Sequence, residues 1–110
     1  MQLVERRLQH GDRAGIRDDV AALCRRAGAR RLDVFGSAAR DDFDPATSDI
    51  DFLVDFDDLP PPSYAQAYFT LKESLERLFG RPVDLVTSSS VENPYFRERI
   101  DAERKPVYAR

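Results

Sequence analysis

The sequence predicts an α/β (α+β) fold, a small mixed β-sheet with helices packed on one face. Three observations carry that expectation. Ile50, Phe52, Val54 and Phe56 fall at every second position, the period of a half-buried strand. Tyr64, Tyr68, Leu71, Leu75 and Leu78 recur at intervals of three and four, the stripe of an amphipathic helix. Along the chain the order reads helix, strand, short helix, strand, helix, strand, helix, which layers helices on a sheet.

The elements follow from local chemistry. Ile16, Val20, Leu23, Cys24 and Ala27 share one face of a helix over 11–29, with Gly28 near its end. A shorter helix over 2–9, anchored by Leu3 and Leu8, precedes it. Leu32 to Phe35 form the first strand, broken by Gly36, and a short helix opens over 38–42. Pro45 and its polar neighbours make 43–47 a turn. The alternating run 50–56 is the second strand, and three prolines punctuate the loop 57–62. The helix 63–79 stops at Gly80, which accepts the left-handed conformation common at helix ends. Arg81 and Pro82 introduce a third strand over 83–86. Asn93 is placed to cap a last helix with Pro94 in its first turn, running to about Ala102. Pro106, Val107 and Tyr108 suit a short closing strand. A single domain over 1–110 accommodates all of these.

Composition narrows the functional classes. Hydrophobic residues make up 42% and charged residues 34%, the balance of a soluble globular chain. A net charge of −3 supplies no basic field for duplex nucleic acid. The single cysteine, Cys24, forms no internal disulfide, and no apolar run is long enough to span a membrane. A reduced, cytoplasmic setting is expected. His10, the only histidine, is assigned no catalytic role.

Strand parity decides which acids can cooperate. Asp49 and Asp51 lie on one side of the second strand, roughly 6.5–7 Å apart. Asp55 shares that side but lies about 13 Å beyond Asp51, too far for a shared ion. Asp57 and Asp58 fall in the following loop and read as solvated surface. In the third strand Val83 and Leu85 suit the core, which leaves Asp84 on the opposite face. If the second and third strands are neighbours, Asp84 completes a three-carboxylate cluster. Magnesium suits such all-oxygen sites and keeps waters or substrate phosphates in its shell. A D-x-D pair alone is more often surface, and a glycine ending a strand is more often only a turn. Their combination on adjoining strands favours chemistry.

The Gly36-Ser37 turn is the second half of that combination. Gly36 allows a sharp turn and close approach of a phosphate, and Ser37 adds a hydroxyl ahead of a short helix. Arg40, one turn later, either reaches a phosphate or an acid such as Asp49, or pairs at the surface with Asp41 or Asp44. Ser48 is placed to support Asp49.

Gly36-Ser37, Asp49-Ile50-Asp51 and the later Asp84 together resemble the active-site signature of the DNA polymerase beta-like nucleotidyltransferases. The segments 34–40, 48–54 and 81–86, and the tail 93–100, are similar to the minimal nucleotidyltransferases, the MNT or MntA-type antitoxins paired with HEPN toxins. One departure is Asp41, where many relatives carry glycine; it removes no metal ligand. The resemblance implies the polymerase beta-like nucleotidyltransferase fold and transfer of AMP from ATP to a hydroxyl. It implies two magnesium ions held by Asp49, Asp51 and Asp84, with Asp84 also acting as base, and phosphates gripped by Gly36, Ser37 and Arg40. The acceptor it implies is a tyrosine of a cognate HEPN toxin, in a homo- or hetero-oligomeric assembly.

Two other readings compete: an inactive antitoxin that neutralises its toxin by binding, and nucleotidyl transfer to a small molecule such as an aminoglycoside. Intact Gly36, Ser37, Asp49, Asp51 and Asp84 weigh against the first. The short stretch after Asp84 leaves no room for an acceptor-binding domain, which weighs against the second and leaves the acceptor to a partner. Among the aromatics, Tyr68 and Phe96 are expected in the core, whereas Tyr64 and Tyr95 could serve a partner surface.

Overall fold

A computed structural model describes residues 13–39 and 49–110. Among these, helix α1 (Arg13–Ala27) leads into strand β1 (Ala29–Phe35) and a single 3-10 turn, Gly36–Ala39. Strand β2 (Ile50–Phe56), helix α2 (Pro61–Phe79) and strand β3 (Val83–Thr87) follow. A short 3-10 turn at Ser88–Ser90, helix α3 (Pro94–Glu103) and strand β4 (Lys105–Ala109) complete the chain. The short helix expected over 2–9, His10, and most of the segment 38–48 lie outside the described residues.

The four strands form one mixed sheet in the order β3-β2-β1-β4. β1 pairs antiparallel with both β2 and β4, while β2 and β3 run parallel. A parallel pair needs a long crossover, and α2 provides it. The closing strand is longer than its three-residue signature because Lys105 and Ala109 also pair with β1.

Side-chain alternation divides the sheet into two faces with different work. Leu32, Val34, Ile50, Phe52, Val54, Val83 and Leu85 face α1 and α2, where Val20, Cys24, Leu71, Leu75 and Phe79 close the main core. Phe52 and Phe79 stack there at 5.9 Å. Burial pushes the Cys24 thiol up to about 12, so it serves as a small apolar side chain. The stripe of α2 also delivers Tyr68, half-buried, whose hydroxyl donates to the Leu85 carbonyl at 2.6 Å. α2 ends at Gly80 in the left-handed conformation, φ 68°.

The last helix departs from a one-sided arrangement. The two long helices pack together on one face as expected, but Ile100 of α3 joins Phe35 and Leu53 in a second small cluster on the other face. The sequence reading puts all the helices on one face; α3 buries only Ile100, too little periodicity to show where it sits. Its ends are fixed by polar contacts instead. Asn93 caps it by accepting from the Tyr95 and Phe96 amides at 2.9 and 3.2 Å, and Arg97 donates to the Ser88 carbonyl. At the far end Arg104 reaches Asp33 at 3.5 Å. Asp33 is 1% exposed and also pairs with Arg31 at 2.9 Å, so a buried carboxylate joins β1 to the end of α3.

Candidate active site

The face that receives α3 also carries the acids. In the ladder, Asp51 of β2 is the direct partner of Phe35 on β1 and of Asp84 on β3. Phe35, Asp51 and Asp84 therefore form one row across three strands, at the end of β1 where Gly36 begins its turn. Strands lie about 4.8 Å apart, so the two carboxylates are neighbours on one surface. Asp84 is exposed and Asp51 half-exposed. Neighbouring anions of this kind are favourable only where cations or donors meet them.

Gly36 shapes the rim of this row. It takes φ +69°, and a Cβ there would collide with Asp51 Oδ2 and lie 3.2 Å from its Cγ. Only glycine fits so close to the carboxylate. The Gly36 amide donates to Glu103 Oε2 at 3.0 Å, and Glu103 also pairs with Arg99 at 3.9 Å. Phe35, Gly36, Asp51, Asp84, Phe96, Arg99, Ile100 and Glu103 line a cleft of about 270 Å³. The cleft is a trough between the acid row and α3.

The expected site residues thus divide. Gly36, Asp51 and Asp84 are brought together. Asp49 is exposed, two residues before Asp51 at the entrance to β2. Ser37 lies in the turn directly after Gly36. The Ser37 side chain, Arg40, Asp41 and Ser48 fall outside what is described. Among the described residues, no three His, Cys, Asp or Glu side chains converge closely enough to hold a metal ion. The donor set still suits a hard cation: Asp51 and Asp84 present oxygen only, side by side, at an open cleft.

The acids set aside by strand parity have other partners. Asp55 pairs with Arg30 at 3.1 Å, and Asp57 is clasped by Arg110 through two contacts of 2.7 and 2.8 Å. That clasp holds the Asp57 carboxyl below its usual range. Their exclusion from the cleft is structural fact.

Three cleft residues were not anticipated. Phe96, expected in the core, is 38% exposed and sits edge-on to Phe35 at 6.2 Å, on the rim. The small apolar face of α3 leaves it no core to enter. Arg99 and Glu103 follow it along the same helix face at three- and four-residue spacing. A signal for Glu103 was present: an acid in the last turn of a helix opposes the macrodipole, so a specific donor was to be looked for.

Comparison with known proteins agrees with this geometry. The nucleotidyltransferase domain family matches residues 17–107. The chain belongs to that family. The protein adenylyltransferase MntA of Thermococcus cleftensis is 41% identical over 71 residues, covering 64% of this chain and 68% of that protein. A solved structure assigned as a minimal nucleotidyltransferase superposes with a TM-score of 0.67 at 36% identity, covering 96% of both chains. The fold also matches a chain in a complex of a tri-AMPylated Shewanella oneidensis HEPN toxin with an MNT antitoxin. There the TM-score is 0.59 at 20% identity, covering 88% of this chain and 72% of that one. The expected polymerase beta-like fold and minimal nucleotidyltransferase architecture are therefore those of this nucleotidyltransferase. Among its described residues no helix is long and apolar enough to cross a membrane.

Proposed function

We propose that this nucleotidyltransferase transfers AMP from ATP to a tyrosine hydroxyl of a cognate HEPN-type toxin, with magnesium as the required ion, and so acts as its antitoxin. The observation that carries the reading is the pairing of Asp51 with Asp84 at one cleft, beneath a turn that only glycine can make. Kinship with an MntA protein adenylyltransferase and a fold shared with an antitoxin bound to an AMPylated toxin support the choice of nucleotide and acceptor.

Asp49, Asp51 and Asp84 would hold the magnesium, which supplies neutralisation of charge on the phosphates and the leaving pyrophosphate. Gly36 keeps the backbone low over Asp51, so that phosphates can approach without a side chain in the way. Ser37 and Arg40 supply a hydroxyl and a guanidinium to the same phosphates. Asp84, the more exposed member of the pair, takes the proton of the acceptor hydroxyl. The acceptor oxygen forms the new bond to the α-phosphorus and pyrophosphate leaves. Holding these groups in line would supply most of the rate of such a transfer.

The test is incubation with ATP, magnesium and the partner encoded beside this chain, followed by mass spectrometry of the partner. Addition of one or more adenylyl groups on tyrosine is the expected result. An unmodified partner, from protein that binds ATP and the partner normally, would refute the transfer. Neutralisation by a D49N/D51N variant as good as that by the natural chain would point to inhibition by binding alone.

A further inference from the structure

The Gly36 amide is held by a residue far along the chain. We infer that Glu103 is a positioning residue: through the Gly36 amide it fixes the phosphate-facing turn against Asp51. The inference rests on the transferase reading for its consequence in catalysis, but its structural half can be tested alone.

Three observations carry it. The Glu103 carboxylate accepts from Gly36 N–H at 3.0 Å, across 67 residues of sequence. Gly36 in turn sits so close to Asp51 that no side chain could separate them. Glu103, Gly36, Asp51 and Asp84 line one cleft, so the chain of contacts runs from the end of α3 to the acid row. The energetics of α3 argue in the same direction. An acid at a helix C-terminus is disfavoured by the macrodipole. Glu103 is only 19% exposed, and α3 has no basic residue in its last turn within the helix. Arg99, mostly exposed, lies beside it at 3.9 Å. A charge-assisted bond to a backbone amide offsets that cost, and its geometry places the turn.

The hydrogen bond, more than the charge, is what the turn needs. Gln at 103 keeps an acceptor for the Gly36 amide; Ala removes it. A turn that drifts by about 1 Å can cost on the order of a hundredfold in rate when reacting groups must stay aligned. Ground-state binding of ATP through its other contacts changes less, so the loss belongs in kcat.

The experiment compares E103A and E103Q with the natural protein in two readouts. In amide NMR, the Gly36 N–H should resist exchange in the natural protein and in E103Q, and lose that protection in E103A. In transfer assays corrected for folded fraction, E103A should lose tenfold or more in kcat with KM for ATP changed less than threefold. E103Q should stay within threefold of the natural rate. Equal Gly36 protection in all three proteins would overturn the contact, whatever the activity. A natural protein without transferase activity would instead sink the proposed function and leave the NMR result standing. Normal kcat in E103A despite an unprotected Gly36 amide would overturn the positioning role. So would equal losses in E103A and E103Q.

Discussion

Asp51 and Asp84 are direct partners across the parallel pair β2 and β3. Two carboxylates about one strand spacing apart repel each other unless a cation or donor intervenes. D51N and D84N are therefore expected to lower nucleotidyl transfer by about a hundredfold or more, because charge stabilisation at the phosphates is lost. D84N should not lower the melting temperature, since it relieves like-charge contact at an exposed position. Steady-state kinetics alongside thermal melts checks both halves, and magnesium should raise the melting temperature of the natural protein more than that of the double variant.

Gly36 combines a left-handed backbone with closeness to Asp51. G36A is expected to cost about 1–2 kcal/mol from the backbone alone, with the clash against the carboxylate added to it. Activity should fall far more than stability, because the methyl displaces Asp51 or the turn. A denaturant titration paired with a transfer assay separates the two effects.

Asp33 is the buried carboxylate between Arg31 and Arg104. Removing it in D33A takes the shared carboxylate from both guanidinium groups, leaving Arg104 with Asp101 at 3.6 Å, and loosens the end of α3. The expected loss is about 2–3 kcal/mol, typical of hydrogen bonds to charged groups. Its signature is a lower unfolding midpoint together with faster amide exchange in 94–103.

Glu76 accepts from the Val83 amide at 3.0 Å and from Lys72 at 3.2 Å, seating the strand that carries Asp84. The amide, then Lys72, holds its carboxyl below the usual range. A depressed carboxyl stabilises the fold above its unfolded pKa, about 4.3, and that contribution fades as pH falls through the folded value. E76Q should therefore be less stable than the natural protein at neutral pH and show a shallower acid decline. Urea midpoints between neutral and acid pH measure the difference.

Cys24 titrates in the opposite sense. The folded protein keeps the thiol protonated to about 12, whereas the unfolded chain releases the proton near 9. The unfolded state thus binds fewer protons in that window, and stability falls as pH rises, by at most about 1.4 kcal/mol per pH unit. C24A should lack this component, so the gap between the two proteins should narrow at alkaline pH. A thiol reagent should react with the natural protein only after unfolding.

Much of this was legible in the chain itself. The alternation of Ile50 to Phe56 set which acids shared a face, and Val83 and Leu85 did the same for Asp84. What parity could not supply was the neighbourhood of β3, since pairing partners are chosen by packing across the whole sheet. Nor could it place α3. With Ile100 its only buried side chain, that helix is held by Arg97, Glu103 and Arg104, polar contacts that leave no period to read. Phe96 was misplaced for the same reason, as an aromatic at helical spacing reads as core until the helix proves to have almost none.

The bond from Gly36 to Glu103 also bears on when the enzyme comes into being. It closes a loop of 67 residues, and such closures carry an entropy cost that local contacts avoid. β1 and β2 can meet early, and the crossover through α2 can bring β3 alongside. The turn over Asp51 is fastened only after the far end of α3 has docked. During synthesis the acids emerge before their clasp, so a chain made only that far carries Asp51 and Asp84 without the turn fastened over them. Activity is thereby tied to completion of the fold.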